Sequence, residues 1–166
     1  VGGYMAIRKL RIDGDPILRK QSKTVKDINE NIITLIEDMR ETLDESNGVG
    51  LAAVQVGALR RIILVKPEED EEAMVLINPE IVECDGAEVG LEGCLSVPGK
   101  HGKVERPQKI QVKAMDADGK NLEFEAEDFV ARIICHEVDH TNGILYTDKI
   151  YENQLFDDED LVESDL

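Results

Sequence analysis

The sequence predicts an α+β fold, in which helices and a largely antiparallel sheet occupy separate stretches of the chain. Two helical patterns of apolar residues, one near each end, enclose several short segments with the alternation typical of strands. The 166 residues match the usual size of one domain, and no internal repeat or Pro/Ser-rich linker divides them. We therefore expect a single domain with the second helix packed on the sheet.

The first helix is predicted within residues 27–48. Apolar side chains recur there at helical spacing, at Ile28, Ile32, Leu35, Ile36, Met39 and Leu43. Asp27 is the expected N-cap, because its carboxylate can accept hydrogen bonds from the free N–H groups of a first turn. Asn47 and Gly48 should end the helix.

Strands are predicted in the middle of the chain. A small, glycine-rich segment at 49–57 precedes the runs 61–66, 74–84, 109–116 and 121–127. The second run should be interrupted near Asn78-Pro79, and the turn 117–120 should join the last two runs into a hairpin.

The net charge of −17 comes from 36 acidic and 19 basic residues. Such a surface repels phosphate, so nucleic-acid binding through the surface as a whole is not expected. The acids concentrate at 68–72, an expected solvated hairpin tip, and at 157–166, expected to be frayed or disordered. Because no apolar run approaches the roughly 20 residues that span a bilayer and no signal peptide is recognisable, we expect a cytoplasmic protein.

Two histidines four residues apart, His136 and His140, lie in the second predicted helix at 127–143, which Gly143 should end. Side chains at this spacing share one helix face, so both imidazoles can reach one ion about 2 Å away. Glu137 lies roughly 100° around the helix from His136, where it can contact a water beside the ion. This H-E-x-x-H arrangement predicts a metal centre.

The residues leave the third ligand open. No histidine follows His140, which excludes a third imidazole downstream. One alternative is a downstream carboxylate, from Glu152, Glu159 or Glu163. The other is the thiol of Cys94, whose flanking sequence LEGCLSVPG suits a bent segment beside a helix. A thiolate with two imidazoles and an open fourth position suits Zn²⁺ or Fe²⁺.

Three segments resemble the motifs of peptide deformylases, in the same order and at the same spacing. They are GVGLAAVQ at 48–55, EGCLS at 92–96 and HEVDH at 136–140. The resemblance extends from about Arg8 to about Asp148 and is to the shorter bacterial type. It implies antiparallel sheets around a central helix that carries H-E-x-x-H.

The resemblance also implies the chemistry. The metal ligands would be Cys94, His136 and His140. The ion would be Fe²⁺, which Zn²⁺, Ni²⁺ or Co²⁺ can replace in this family. Glu137 would be the base that activates water, while the Gln55 amide and the Leu95 backbone N–H would stabilise the oxyanion. The reaction would remove the formyl group from formylmethionyl nascent peptides and release formate.

Substrate contacts follow from the same resemblance, at Gly48, Val49, Gly50, Gly93, Phe129 and Ile133. Glycines let a peptide backbone approach closely and pair as an added strand. The apolar residues of this set would surround the methionine side chain, although helical spacing equally predicts ordinary core positions for Phe129 and Ile133.

Four neighbouring residues need separate expectations. Glu92 should pair with Arg106 and orient the metal loop, and Asp139 should hold a basic group or a ligand histidine unless it is simply solvated. His101 is expected on an exposed loop, at a position where many family members carry Arg. Cys135 is expected to point away from the metal, at a position where many family members carry Gln.

The expected organisation is a short remnant at 1–4 ahead of a native start at Met5, a catalytic domain at 5–150 and an acidic tail at 151–166. The expected partners are nascent peptides that emerge from the ribosome, without direct nucleic-acid or membrane binding, for a monomer in the bacterial cytoplasm. Rival functions are a zinc peptidase with a downstream glutamate ligand and a non-enzymatic domain that an ion staples together. An acidic Ca²⁺-binding or adaptor module has only the charge in its favour.

Overall fold

The structure is a computed structural model that describes residues 6–161. In this part of the chain, helix α1 spans Glu30–Ser46 and helix α2 spans Asp128–Thr141. The strands are β1 Gly50–Ala52, β2 Ile62–Val65, β3 Met74–Asp85, β4 Glu88–Cys94, β5 Val97–Arg106, β6 Lys109–Met115, β7 Asn121–Glu127 and β8 Ile150–Asp157. This order confirms the predicted α+β class. Neither helix is both long and apolar enough to cross a membrane, within the described residues.

The strands pair antiparallel in two sheets among the described residues. The larger sheet has the order β1-β2-β3-β6-β7, and the smaller sheet has the order β4-β5-β8. The predicted hairpin is confirmed by the pairing of β6 with β7, from Lys109 opposite Glu127 to Met115 opposite Asn121. The interruption near Asn78 is a register shift inside β3, where Asn78 has a positive φ of 52°.

Helix α1 begins later than predicted. Its N-cap is Asn29, whose side chain accepts a hydrogen bond from the Ile32 N–H at 3.1 Å, so the expectation for Asp27 is wrong. The chain just before Asp27 is held by the Asn78 side chain, which accepts a hydrogen bond from the Val25 N–H and donates one to the Val25 C=O, each at 2.8 Å. Asn47 ends the helix in the left-handed conformation, as predicted.

Helix α2 packs one face on the larger sheet. Ala131, Ile134 and Cys135 are buried there in a cluster with apolar residues of β2, β3 and β6. Burial of one such aliphatic side chain stabilises the fold by about 1.5–3 kcal/mol. Cys135 therefore faces the core, as predicted, and the opposite face of α2 is free to carry the polar residues described below.

The C-terminal acids are more ordered than predicted. β8 pairs with β5, Lys100 lies opposite Asp157 in the register, and a 3-10 turn follows at Asp158–Asp160. Backbone pairing and a 2.8 Å contact from Lys100 Nζ to Asp157 Oδ1 hold this segment, so the expectation of a frayed end is wrong for residues 157–161. β8 also crosses the predicted boundary between the domain and the tail, and residues 162–166 lie outside the described residues.

Candidate metal centre and active-site cleft

The two histidines of α2 meet the thiol of Cys94. One ligand atom from each of these three residues lies within 4.8 Å of the others, and His140 Nε2 lies 3.3 Å from Cys94 Sγ. Cys94 is the last residue of β4, at the turn into β5, and this position brings the thiol onto the helix. A thiolate and two imidazoles in this arrangement form a three-ligand set for a divalent transition metal, with room for a fourth ligand.

The downstream carboxylates do not join this set. Glu152 and Glu159 are exposed on β8 and in the turn after it, and in residues 6–161 the group that includes the two histidines is completed by Cys94. The expectation of a third ligand from Glu152 or Glu159 is therefore wrong. Glu163 lies outside the described residues.

Glu92 orients the first histidine. Its Oε1 lies 2.9 Å from His136 Nδ1, which leaves His136 Nε2 to face Cys94 and His140. Arg106 donates two hydrogen bonds to Glu92, both at 2.9 Å, and Arg132 donates a third at 2.8 Å. Burial alone would raise the pKa of Glu92, but the hydrogen bonds from His136 and Arg106 outweigh it and lower that pKa to about 2.

Asp139 extends this network outward. Arg106 Nη1 lies 2.6 Å from Asp139 Oδ2, and Lys149 Nζ lies 3.0 Å from the same oxygen. The two expected ion pairs, Glu92–Arg106 and a basic partner for Asp139, thus share one arginine. Because that arginine bridges β5 to α2, it fixes the helix against the strands that carry Cys94.

The electrostatics of the site favour a cation. Burial alone would lower the pKa of His136, but the charge of Glu137 and the hydrogen bonds with Cys94 and Glu92 outweigh burial and raise that pKa to about 10. Burial and the neighbouring His136 lower the pKa of His140, which keeps its imidazole neutral and able to act as a ligand. The same neighbouring groups that favour a proton on His136 would favour a divalent ion, which must displace that proton to bind.

Glu137 lies beside the ligands and is almost completely buried, with 4% of its surface exposed. Its Oε1 has no hydrogen-bond partner among residues 6–161, and burial raises the pKa of Glu137 to about 7. A buried carboxylate with a free oxygen is costly unless a further group binds it. Its protonation near neutral pH suits a residue that takes and returns a proton.

Gly50 makes room for Glu137. A Cβ at position 50 would lie 2.5 Å from Glu137 Oε2 and 2.9 Å from Ile133 Cγ2. Gly48 has a similar role, since a Cβ there would lie 2.9 Å from Leu95 Cδ1. These glycines therefore also permit close packing inside the protein, a reason that the sequence did not reveal.

Gln55 is held with its amide nitrogen toward the metal ligands. Its Oε1 accepts a hydrogen bond from the Ala52 N–H at 2.9 Å, and this bond fixes which end of the amide faces inward. Its Nε2 lies 3.1 Å from Ser96 Oγ and 3.6 Å from Cys94 Sγ. Gln55 lies in a short 3-10 turn after β1.

A cleft of about 560 Å³ connects these groups to the surface. All the residues predicted to bind substrate line it, namely Gly48, Val49, Gly50, Gly93, Phe129 and Ile133, and so do Gln55, Cys94, Leu95, His136 and Glu137. Phe129 and Val49 are 50% and 42% exposed, whereas Ile133 is 3% exposed. The first two are therefore rim residues, and the last is both a core residue and part of the cleft wall.

Further lining residues were missed or misplaced by sequence reasoning. His101 lies in β5 and not on a loop, and its Nε2 packs so closely on Gly93 that a Cβ there would lie 2.5 Å away. Asp158 contacts His101 Nδ1 and lines the same cleft, although it belongs to the predicted tail. Arg132 was unassigned, and its helical spacing of four from His136 was the one signal that could have placed it on this face.

Comparison with known proteins agrees with this geometry. The model of the family described as polypeptide deformylase matches residues 7–155. A peptide deformylase from Thermoanaerobacter pseudethanolicus is 52% identical over 145 residues, which cover 87% of this chain and 90% of the relative. The crystal structure of a peptide deformylase from Legionella pneumophila superposes with a TM-score of 0.85 at 42% identity, covering 89% of this chain and 88% of that one.

A third comparison involves a structure with a bound peptide. The Met-Ala-Ser-bound crystal structure of a class I type b peptide deformylase from Acinetobacter baumannii superposes with a TM-score of 0.84 at 36% identity. It covers 89% of this chain and 100% of that one. Sequence and fold agree over nearly all the described residues, and the chain belongs to the polypeptide deformylase family.

Proposed function

We propose that this chain hydrolyses the N-terminal formyl group of nascent peptides, with Cys94, His136 and His140 as ligands of a divalent metal ion. The single observation that carries the proposal is the buried Glu137, whose free Oε1 lies in the same cleft as the three convergent ligands. α2 would be the central helix that presents the H-E-x-x-H residues. Membership of the polypeptide deformylase family supports the activity, and the donor set supports the metal.

The donor set suits several divalent ions, of which Fe²⁺ is the proposed one. A bound ion of this class supplies Lewis-acid activation of water near neutral pH. His136 would use Nε2, because its Nδ1 is engaged by Glu92, and His140 would use the Nε2 that lies near Cys94. The buried Arg106 and Arg132 hold Glu92 in place, so the first ligand is oriented before any ion binds.

Glu137 is the proposed proton carrier. Its carboxylate would accept a proton from the attacking water and then donate it to the departing amine of methionine, leaving formate and a free N-terminus. A carboxylate with a pKa of about 7 is suited to both steps, because neither protonation state is strongly disfavoured near neutral pH.

Gln55 and Leu95 are the proposed donors to the oxyanion. Gln55 Nε2 is already directed at the ligand cluster by the Ala52 N–H, so little rearrangement is needed when charge develops. Leu95 follows Cys94 directly in the turn, and its backbone N–H would donate from the other side. Loss of one such donor typically costs about 10²–10³ in rate.

The peptide would bind between the two sheets. β1 lies at one edge of the larger sheet and β4 at one edge of the smaller sheet, and residues of both strands line the cleft. Edge strands offer unpaired N–H and C=O groups, which an extended peptide can pair with as an added strand. The methionine side chain would contact Val49, Phe129 and Ile133. The Met-Ala-Ser complex of the Acinetobacter baumannii relative supports a peptide of this kind.

The test is formate release from formyl-Met-Ala-Ser under anaerobic conditions with Fe²⁺ supplied. We expect rapid release by the wild type and a loss of at least about a hundredfold in Glu137→Gln, which keeps the volume but removes the base. Glu71→Gln, in the exposed loop between β2 and β3, removes one carboxylate far from the cleft and should leave the rate unchanged.

Metal content separates the possible failures. If metal-loaded wild type released no formate but cleaved internal peptide bonds, the zinc peptidase would be the correct function. If Glu137→Gln retained both metal and full activity, Glu137 would not be the base.

A monomer and a bacterial cytoplasmic location stay predictions, which sedimentation equilibrium and fractionation would test.

A further inference from the structure

Positive charge is segregated in this acidic protein. Residues 6–26 carry seven basic and two acidic side chains, a net charge of +5 within a chain of net charge −17. A charge asymmetry of this size within one domain indicates a partner of opposite charge. The low affinity for nucleic acid predicted from the net charge applies to the surface as a whole and does not describe this locally positive segment.

Three of these seven bases lie around a concave surface, together with two arginines from the segment before β2. A cleft of about 1010 Å³, here called the basic groove, is lined by Arg8, Lys23, Lys26, Arg60 and Arg61. One acidic side chain, Asp27, is among the described residues that line it. The groove shares no lining residue with the active-site cleft.

The basic side chains of the groove are available to a ligand to different degrees. Arg8 is paired with Asp38 at 2.8 Å, and Arg61 donates hydrogen bonds to Thr141 Oγ1 and Asn142 Oδ1 at 2.9 and 3.0 Å. By contrast, no carboxylate within residues 6–161 forms an ion pair with Lys23, Lys26 or Arg60, all of which are exposed.

The backbone that carries these residues is fixed. The Lys23 N–H donates to the Leu59 carbonyl at 3.0 Å, and the Arg61 N–H donates to the Lys23 carbonyl at 2.9 Å. These two hydrogen bonds pair Lys23 with Arg60 in a single parallel β-bridge. Lys23 and Arg60 thus stay neighbours on one wall of the groove. Ser22 also lines the groove, and its hydroxyl has no partner among the described residues. The backbone at Lys23 and Arg60 is therefore ordered before an anion binds, so that only the side chains lose entropy on binding.

The composition of the groove identifies the class of ligand. Its spread of charges over about 1010 Å³ exceeds what one phosphate needs and fits a run of phosphates along a backbone. None of the described residues that line it is aromatic, so it lacks the platforms on which proteins stack the bases of single strands. Duplex RNA is recognised through its shape and its phosphates, without base stacking.

We propose that the basic groove binds the phosphate backbone of double-stranded RNA. The choice of RNA over DNA rests on the proposed function, because an enzyme that acts on nascent peptides works where structured RNA is abundant. The electrostatic argument does not depend on that function.

The test is fluorescence anisotropy of the full chain with a labelled RNA duplex of about 16 base pairs. The groove variant is Lys23→Gln/Lys26→Gln/Arg60→Gln. The matched control is Lys109→Gln/Lys113→Gln/Lys120→Gln, on the hairpin of β6 and β7, which removes the same number of positive charges from another surface. Wild type, groove variant and control are compared at about 50 and about 200 mM salt.

We expect the groove variant to bind the RNA duplex at least about tenfold more weakly at the lower salt concentration. The slope of log affinity against log salt concentration should also be less steep than that of wild type by about 2 to 3. The control should stay within about twofold of wild type. Equal weakening in both variants, or binding by wild type to anionic phosphatidylglycerol vesicles but not to the duplex, would overturn the proposal.

Two further measurements keep the outcomes separate. A duplex DNA of the same length tests the choice of RNA, and DNA binding at or above the RNA affinity overturns that choice. Formate release from formyl-Met-Ala-Ser should be unchanged in the groove variant, which shows that it is folded. Absence of formate release in all three proteins would contradict the proposed function while the anisotropy results still decide on the groove.

Discussion

The active-site cleft and the basic groove both gather charged side chains, yet they treat the charges in opposite ways. In the cleft, Glu92 and Arg106 are 6% and 3% exposed, and each has several hydrogen-bond partners. In the groove, Lys23, Lys26 and Arg60 are exposed to solvent. A buried charge must be paired because its desolvation costs several kcal/mol, whereas a solvated charge costs little and is screened by salt. Single substitutions should therefore be severe in the cleft and mild at the surface.

The largest effect is expected for Cys94→Ala. Removal of a residue that supports a metal ligand typically weakens metal affinity by about 10–100-fold. Loss of a direct ligand should cost more, so we expect the metal affinity of Cys94→Ala to fall by about a hundredfold or more. Formate release should fall with the metal content, which is measured after desalting in metal-free buffer. Cys84→Ala, an exposed cysteine on β3, is the control. Full metal binding by Cys94→Ala would show that another residue completes the site.

The next effect tests the buried network that supports the metal. Glu92→Gln removes the charge that Arg106 and Arg132 share, so the buried Arg132 loses its carboxylate partner and Arg106 keeps only Asp139. We expect the free energy of unfolding to fall by about 3–5 kcal/mol, as for other broken buried pairs. Urea denaturation measures it. Glu105→Gln, an exposed residue of the same hairpin, should change it by less than about 0.5 kcal/mol. Equal effects of the two changes would remove the contrast between buried and solvated charge.

Gly50→Ala should separate catalysis from metal binding. The added Cβ would lie 2.5 Å from Glu137 Oε2, so the carboxylate must move while the three ligands stay in place. A displacement of about 1 Å can cost about a hundredfold in rate, and overpacking typically costs about 1–3 kcal/mol of stability. We expect kcat to fall by about tenfold or more with the metal content unchanged. Wild-type kcat in this variant would show that the position of Glu137 is not critical.

The sequence predicted the parts of the site that local periodicity and motifs specify. His136, Glu137 and His140 have a fixed relation on any helix, so their shared position followed from spacing alone. Cys94 was one of two alternatives until the three segments were considered together, because the distance between a loop and a helix is a tertiary property. Both helices and strands β2, β3, β6 and β7 were found for the same local reason, whereas β4, β5 and β8, which form the smaller sheet, were not predicted.

Several unpredicted features depend on contacts between distant residues. Asn29 and not Asp27 is the N-cap, and the chain before it is held by a hydrogen bond from Val25 to Asn78 of β3, a contact that local sequence does not reveal. The acidic C-terminal segment joined β5 because Lys100 and the strand edge were available, which a local charge count cannot show. The basic groove combines residues 8, 23, 26, 60 and 61, whose proximity arises only when the Lys23–Arg60 bridge forms.

The smallest effect is expected for an exposed ion pair outside the cleft. Asp148 accepts hydrogen bonds from Arg19 and from the Leu145 N–H, and the two side chains of the pair are 39% and 47% exposed. Burial alone would raise the pKa of Asp148, but the bonds from Arg19 and Leu145 outweigh it and lower that pKa below 3.8. Because the folded state has the lower pKa, the stabilisation is present above the unfolded pKa and is lost as the pH falls through the folded one.

We therefore compare the free energy of unfolding of wild type and Asp148→Asn by urea denaturation at several pH values. Solvent screening should limit the difference to below about 1 kcal/mol near neutral pH, in contrast to the buried Glu92. The difference should shrink below about pH 4 and vanish when Asp148 is protonated in both states. Asp70→Asn, in the exposed loop between β2 and β3, corrects for the general effect of one fewer acid. A difference that stayed constant down to low pH would mean that Asp148 contributes through its hydrogen bonds and not through its charge.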